Sequence, residues 1–233
     1  MKDKKIIKIY LYTRYERLWH WLQALMIISL IITGLEIHGT YKLFGFQTAV
    51  NIHNFVGLTW LILFAFFVFW LFTTGEWKQY IPTTKKLFSV ILYYSWGIFQ
   101  GKPHPVQKAK GAKHNPLQRL AYLGISAMLL PAQMVTGLLY YLYNDIPQVL
   151  PLSALAVIHT LIALFLLNFL IVHLYMTTTG HSLFSHIAGM ITGWEEIYET
   201  TEIADWETQA TKKEINQNAA GCLLPHSSPR SEE

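Results

Sequence analysis

Four long apolar runs constrain this chain more than any other feature of its sequence. They cover about residues 18–37, 52–74, 117–142 and 152–176, and each has roughly the 20 residues that a helix needs to cross about 30 Å of hydrocarbon. Hydrophobic residues make up 52% of the 233 positions and charged residues only 14%, which is too apolar a balance for an ordinary soluble domain. The sequence therefore predicts an all-α integral membrane protein built as a four-helix bundle.

The positively charged residues predict which way the bundle faces. Lys and Arg are concentrated before the first run and between the second and third runs, whereas the other two connections hold Lys42 alone. These residue types accumulate on the cytoplasmic side of inserted helices. We therefore expect both termini and the 75–115 loop to be cytoplasmic, and the two short loops to face outward.

Two segments outside the apolar runs have a character of their own. Residues 83–101, within the 75–115 loop, are apolar and aromatic but too few to cross comfortably, so we expect an interfacial helix, with packing against a partner subunit as the alternative. After Gly193 the sequence is first acidic and then rich in small polar residues, which favours an exposed helix followed by a disordered end. We divide the chain into a membrane domain, 1–180, and a polar cytoplasmic tail, 181–233.

The chain has a single cysteine, Cys222. One thiol cannot form an internal disulfide, a cysteine-based zinc site or an iron–sulfur cluster, and the sequence has no Cys-x-x-Cys-His stretch for covalent haem attachment. Any cofactor must therefore be held by other side chains.

Four of the ten histidines lie inside the apolar runs, namely His20, His53, His159 and His173. An ionisable side chain within a membrane is costly and usually faces the bundle interior with a partner. Because the predicted topology converts position into depth, His20 and His173 are expected toward the inside, and His53 and His159 toward the outside. The last run carries one histidine of each pair, about 21 Å apart along the helix and only about 40° apart around it.

Two pairs of imidazoles at two depths suit two flat cofactors stacked across a bilayer. Haem iron accepts two imidazoles, and this leaves no open position for substrate or oxygen, which suits electron transfer. A zinc site would need three or four ligands at one depth, and a proton relay would usually include membrane carboxylates, whereas Glu36 is the only acid within a run. Neutral histidines that hydrogen-bond to neighbouring helices are the alternative.

Several stretches around these histidines carry a family resemblance. They are "TRYERLWHW" at 13–21, "NIHNFVG" at 51–57, "GAKHNPLQRLAY" at 111–122 and "HLYM" at 173–176. These stretches resemble the bacterial di-haem membrane cytochromes b, the quinone-reactive subunits of thiosulfate reductase, formate dehydrogenase and nickel–iron hydrogenase. The sequences of the stretches "HLYMTTTGH" and "GMITGWEE" look most like the thiosulfate reductase branch.

The resemblance implies two haem b groups in the bacterial cytoplasmic (inner) membrane. In that family the pair corresponding to His20 and His173 holds the cytoplasmic-side haem, and the pair corresponding to His53 and His159 holds the outer haem. It also implies exchange of menaquinone or ubiquinone and a catalytic partner on the outer face, which would be a molybdenum enzyme, a hydrogenase or a multihaem cytochrome. We expect no nucleic-acid partner, and no substrate chemistry beyond quinone exchange. A self-contained membrane oxidoreductase and a haem-free scaffold or transporter are the alternatives.

Polar residues at the inner ends of the runs are candidates for the remaining contacts. The resemblance implies a quinone site near Asn115; Asn115, Gln118 and Lys113 are suitable donors to a quinone carbonyl, but would equally form a helix start facing water. Arg14, Arg17 and Lys113 lie where haem propionates could point, because guanidinium groups pair well with carboxylates. Cytoplasmic anchoring is the alternative for these cations.

Overall fold

The computed structural model is mainly helical, and it describes residues 6–84, 86–102, 105, 115–147, 150–178, 184–198 and 216. Lys113 and most of the predicted tail lie outside the described residues. In chain order the main elements are β1 (Ile6–Tyr10), α1 (Arg14–Ile37), α2 (Phe46–Thr74), α3 (Leu87–Leu92), α4 (Pro116–Gly124), α5 (Leu130–Tyr141), α6 (Leu152–Thr177), α7 (Ser185–Thr192) and β2 (Trp194–Tyr198).

Within the described ranges, four helical stretches are long and apolar enough to cross a membrane. They are α1, α2, the continuous stretch Pro116–Tyr141 that contains α4 and α5, and α6. The predicted all-α bundle of four membrane helices is therefore confirmed. The side of the membrane that each terminus faces stays a prediction.

The first two spans begin earlier than the apolar pattern predicted, because polar residues occur in their first turns. At the start of α1, Thr13 Oγ1 accepts a hydrogen bond from the Glu16 N–H at 3.3 Å, and Glu16 Oε2 accepts one from the Thr13 N–H at 2.8 Å. This reciprocal pair is a capping box, which satisfies donors that a helix end leaves unpaired. Hydropathy alone does not detect such a start.

Glu36, the one acid within the apolar runs, closes the loop between α1 and α2. Its Oε1 accepts hydrogen bonds from the backbone N–H groups of Leu43, Phe44 and Gly45, at 2.8, 2.8 and 2.7 Å. Gly45 has a φ of 87°, a conformation that favours glycine. The carboxylate therefore fixes the entry into α2, which positions His53 two turns later.

The third span contains an irregular turn in its middle. A π-helical turn, Ile125–Leu129, separates α4 from α5, and Pro131 follows at the start of α5. Proline has no backbone N–H and clashes with the preceding turn, so an interruption of the regular hydrogen-bond ladder is expected at this point.

The centre of the bundle is a small apolar core. Trp60, Leu130 and Met134 form a buried cluster that joins α2 to α5. The Trp60 indole N–H donates to Gln23 Oε1 at 3.1 Å, so the indole nitrogen of this core is paired across α1 and α2. Large apolar side chains such as Phe55, Phe66 and Phe165 are exposed on the outside of the spans. Such an outer surface suits contact with lipid chains.

The apolar segment predicted at 83–101 is helical from Leu87 to Gln100. It consists of α3, a π-helical turn Tyr93–Gly97 and a short 3-10 turn Ile98–Gln100. This helix is shorter than the four spans, as expected. Its placement along the membrane interface stays a prediction.

The segment after Gly193 was expected to be helical, and for residues 194–198 this is wrong. Strand β2 pairs with β1 in an antiparallel register that places Tyr10 opposite Trp194. The Gly193 carbonyl accepts hydrogen bonds from the Leu11 and Tyr12 N–H groups, at 2.9 and 3.2 Å. The pairing joins the segment before α1 to the segment after α7, which the sequence analysis assigned to the tail. A strand partner so distant in sequence leaves no local pattern.

Candidate functional site

The four span histidines meet in two pairs. The ring centroids of His20 on α1 and His173 on α6 are 6.2 Å apart, and we call these residues the α1–α6 pair. The ring centroids of His53 on α2 and His159 on α6 are 6.4 Å apart, and these residues form the α2–α6 pair. Residues that are widely separated in the sequence are thus brought together at two levels of one bundle, with α6 contributing to both.

The hydrogen bonds of Thr33 indicate which ring nitrogen of His53, in the α2–α6 pair, carries the proton. Its Nδ1 lies 2.9 Å from Thr33 Oγ1. The Thr33 hydroxyl donates its own proton to the Ser29 carbonyl at 2.8 Å, so its oxygen accepts from the ring N–H. A neutral imidazole protonated at Nδ1 keeps a lone pair at Nε2, which is the form that binds a metal.

His159 has the same arrangement on α6. Its Nδ1 lies 3.0 Å from Thr136 Oγ1, and the Thr136 hydroxyl donates to the Ala132 carbonyl at 2.8 Å. The Gln133 amide nitrogen lies 3.0 Å from His159 Nε2 and donates to its lone pair. The ring is therefore in the metal-binding tautomer, although the Gln133 amide would have to turn away from Nε2 before a metal could bind there.

Two glycines lie against the rings of the α2–α6 pair. A Cβ added at Gly34 would come within 3.4 Å of His53 Cε1, and one added at Gly137 within 3.1 Å of His159 Cε1. The second distance is closer than ordinary van der Waals contact. The absence of a side chain at these positions is therefore what lets each imidazole lie close to its neighbouring helix.

The α1–α6 pair is held by aromatic contacts. The ring of Trp21 lies edge-on to that of His20, with the ring centroids 5.2 Å apart. The ring of Phe169 stacks on that of His173, with the ring centroids 5.8 Å apart. His20 Nδ1 is buried and has no hydrogen-bond partner among the described residues. No described side chain therefore accepts a hydrogen bond from this ring nitrogen, in contrast to Thr33 and Thr136 at the α2–α6 pair.

The spacing and number of donors fit two haem sites. An iron shared by two imidazole nitrogens at about 2 Å each places the ring centroids about 6 Å apart, and both pairs have this separation. Across the described ranges, no group of three or more His, Cys, Asp and Glu side chains could hold a metal ion. Two imidazoles suffice for haem, because the porphyrin supplies the other ligands of the iron.

Two of the three predicted propionate partners, Arg14 and Arg17, lie in α1 before His20. Arg14 is exposed at the start of α1. Arg17 is three residues before His20, a spacing that places both side chains on one side of the helix. Its guanidinium donates to the Ile191 carbonyl, and its Nε is buried with no partner in the described part of the chain.

The predicted quinone residues form the start of α4. Asn115 Oδ1 accepts from the Gln118 N–H at 2.8 Å, and Gln118 Oε1 accepts from the Asn115 N–H at 3.0 Å. Of the two roles left open for Asn115 and Gln118, the helix start is therefore observed. The third candidate, Lys113, lies outside the described residues.

Sequence reasoning missed Tyr94, which contacts this helix start. The Asn115 side-chain amide donates to the Tyr94 hydroxyl at 3.1 Å. Burial, with a smaller effect of Tyr93, raises the pKa of Tyr94 to about 12, so the phenol keeps its proton at neutral pH. The aromatic content of residues 83–101 was the only sequence signal for this contact.

An open apolar groove lies between the third span and α6. Its volume is about 350 Å³, and its lining includes Leu120, Gly124 and Phe169. Because Phe169 also stacks on His173, the groove adjoins the α1–α6 pair. Its size is at the lower end of the range for small-molecule sites.

Two comparisons with known proteins agree with this geometry. Residues 11–193 match the sequence model of the family described as "Prokaryotic cytochrome b561". A protein of Escherichia coli (strain K12) named "Putative cytochrome YdhU" is 30% identical over 197 residues, which are 80% of this chain and 74% of that protein. The family match spans all four membrane helices and both histidine pairs. The chain belongs to the prokaryotic cytochrome b561 family.

Proposed function

We propose that this multi-pass membrane cytochrome is a di-haem electron-transfer subunit that connects the quinone pool to a catalytic partner. Family membership supplies the coarser part, a membrane cytochrome with b-type haem that works with redox partners. The finer part rests on one observation, the two separate histidine pairs with ring centroids 6.2 and 6.4 Å apart. One haem per pair gives two haems per chain.

Each pair would hold the iron of one haem b. His20 and His173 hold one group, and His53 and His159 hold the other. Haem b with two imidazole ligands supplies one-electron transfer and leaves no open position at the iron for substrate. Arg17, whose buried Nε has no partner in the described ranges, and Arg14 are then the cations for the propionates near the α1–α6 pair, with Lys113 as a third.

Helix α6 sets the spacing between the two sites. Its two histidines are fourteen residues apart, which corresponds to about 21 Å along a helix. With both termini cytoplasmic, as the distribution of Lys and Arg predicts, the α1–α6 pair lies toward the cytoplasm and the α2–α6 pair toward the outside. An electron that passes from one pair to the other therefore crosses much of the bacterial inner membrane.

Quinone exchange belongs to the α1–α6 end of the bundle. The apolar groove beside Phe169 can accept a flat ring, and the helix start at Asn115 and Gln118 supplies polar groups on the same span. Tyr94 adds a phenol that stays protonated and can donate to a quinone carbonyl. Proton uptake or release at a quinone on this side, combined with electron transfer across the membrane, makes the reaction electrogenic.

The partner is a catalytic or electron-transfer subunit on the outer face. The stretches "HLYMTTTGH" and "GMITGWEE" favour the thiosulfate reductase branch, with the cytochrome b subunits of nickel–iron hydrogenase and formate dehydrogenase as alternatives. The partner is then a molybdenum enzyme, a hydrogenase or a multihaem cytochrome. Its docking surface includes the short outer loops.

Addition of quinol to purified protein tests the electron-transfer function. We expect menaquinol or ubiquinol to reduce bound haem, seen as b-type bands in reduced-minus-oxidised absorption spectra. Dithionite provides the control, because it reduces all the haem whether or not a quinone site is present. Protein whose haem is reduced by dithionite but by neither quinol would contradict a role in quinone exchange.

A further inference from the structure

The same two-residue sequence lies beside each histidine of the α2–α6 pair. Residues 33–34 of α1 are Thr-Gly and contact His53, and residues 136–137 of α5 are also Thr-Gly and contact His159. A leucine follows in both cases, so Thr-Gly-Leu occurs once in each of these two spans. Two different helices thus present the same pair of groups to the two rings.

The threonine of each pair acts as a hydrogen-bond acceptor for its histidine. A hydroxyl has one proton, and in both threonines this proton is donated to a carbonyl four residues earlier, at 2.8 Å. The remaining contact, at 2.9 Å for Thr33 and 3.0 Å for Thr136, must then be donated by the ring Nδ1–H. The other ring nitrogen of each histidine keeps its lone pair.

The glycine of each pair determines how close the ring lies. Each glycine faces the Cε1 edge of the imidazole that its neighbouring threonine contacts. An added Cβ would lie 3.4 Å from His53 Cε1 at Gly34, and 3.1 Å from His159 Cε1 at Gly137. The hydroxyl and the missing side chain therefore act on one ring together. The threonine orients the nitrogen, and the glycine leaves room for the carbon edge beside it.

We propose that these two Thr-Gly pairs position the axial ligands of the haem at the α2–α6 pair and lower its reduction potential. This inference rests on the proposed function, in which His53 and His159 hold that haem. A hydrogen bond accepted from Nδ1–H makes an imidazole a stronger donor to the metal, which favours the ferric state. In the α1–α6 pair His20 Nδ1 has no described hydrogen-bond partner, so the threonine contact found at both rings of the α2–α6 pair is not repeated at His20.

Replacement of each threonine by valine in the full chain tests the inference. Thr33→Val and Thr136→Val keep the branched shape and remove the acceptor, whereas Thr33→Ser and Thr136→Ser keep the hydroxyl. Thr59→Val is the matched control, because Thr59 bonds back to the Phe55 carbonyl at 2.8 Å and no described hydrogen bond joins it to a histidine. The readouts are haem content and a spectroelectrochemical titration of both haems.

We expect each valine variant to raise one midpoint potential and to leave the other unchanged. A tenfold change in the relative affinity for ferric and ferrous haem corresponds to about 59 mV for a one-electron couple. The serine variants and Thr59→Val should titrate like the wild type. Selective loss of one haem in a valine variant, restored in the matching serine variant, would also support the inference.

The two threonines give independent tests, so a variant that fails to fold leaves the other to decide. Valine variants that keep two haems with wild-type potentials, or that shift both haems equally, would overturn the inference alone. Wild-type protein without two haems would overturn the proposed function and this inference together. Haem content of the wild type therefore separates the two failures.

Discussion

The two histidine pairs use the same side chains but hold them in different ways. In the α2–α6 pair, both rings donate Nδ1–H to threonine hydroxyls and rest against glycines. In the α1–α6 pair, the rings contact Trp21 and Phe169, and His20 Nδ1 is buried with no described hydrogen-bond partner. Because hydrogen bonds to metal-bound imidazoles change their donor strength, identical ligands at two sites need not give identical potentials.

The surroundings of the pairs also differ. The α1–α6 pair adjoins the apolar groove beside Phe169, and Trp21 next to His20 donates to the Met190 carbonyl at 3.0 Å, which ties α1 to α7. Beyond the α2–α6 pair, Glu36 accepts backbone hydrogen bonds that hold the loop between α1 and α2. The ring of His38, which follows α1, hydrogen-bonds to Thr160 of α6, with 3.1 Å between His38 Nε2 and Thr160 Oγ1. The α1–α6 end, which adjoins the groove, is thus suited to exchange of a further ligand, whereas hydrogen bonds hold the loop and helix ends beyond the α2–α6 pair.

Gly137→Ala should affect the α2–α6 pair most strongly. Its Cβ would lie 3.1 Å from His159 Cε1, so the ring must move, and we expect a loss of about tenfold or more in haem affinity at this site. Gly34→Ala, at 3.4 Å from His53 Cε1, should have a smaller effect. Haem content after dilution in detergent measures both, and the haem proposed at the α1–α6 pair is the internal control.

If Gly137→Ala released the haem of the α1–α6 pair instead, the assignment of glycine contacts to one site would be wrong. Equal loss from both sites in folded protein would show a general weakening of the bundle. Either result would remove the distinction between the two pairs.

Tyr94→Phe should have a smaller effect, confined to the other end of the bundle. The change removes the hydroxyl that accepts from Asn115 and that is proposed to donate to quinone, so we expect a several-fold slower reduction by quinol with unchanged haem content. Stopped-flow absorption measures the rate. Because the pKa of Tyr94 is raised to about 12, ionisation of this phenol should not contribute to the pH dependence of the wild type below about pH 10.

The reduction rate with dithionite is the control for Tyr94→Phe, since it does not depend on a quinone site. A quinol rate equal to that of the wild type would place the polar partner of the quinone elsewhere. The helix start at Asn115 and Gln118 would then be purely structural.

The sequence predicted the spans and the histidine pairs for a physical reason. A run of apolar residues and its length determine a membrane helix, and helical geometry converts the positions of His159 and His173 into one face at two depths. Chain direction then placed His20 at the depth of His173, and His53 at the depth of His159. These inferences depend only on local pattern and topology.

Hydrogen-bond partners of side chains were harder to predict from the sequence, because they depend on how neighbouring helices face each other. Thr33 and Thr136 are ordinary residues until a histidine of another helix lies 2.9 to 3.0 Å away, although the repeated Thr-Gly-Leu was a readable signal. Asn115 had two chemically equal roles, and only the contact with Gln118 identified its capping role. Strand β2 was missed because β1 lies at the other end of the chain.

The haem-to-protein ratio in histidine variants tests most directly whether each pair holds one haem. We would compare purified wild type, His53→Ala, His173→Ala and the double variant, after size-exclusion chromatography has shown that each is folded. We expect two, one, one and no haems per chain, with different absorption maxima for the haem that remains in each single variant. Two haems in folded His173→Ala protein, or loss of both from one single variant, would contradict the assignment of one haem to each pair.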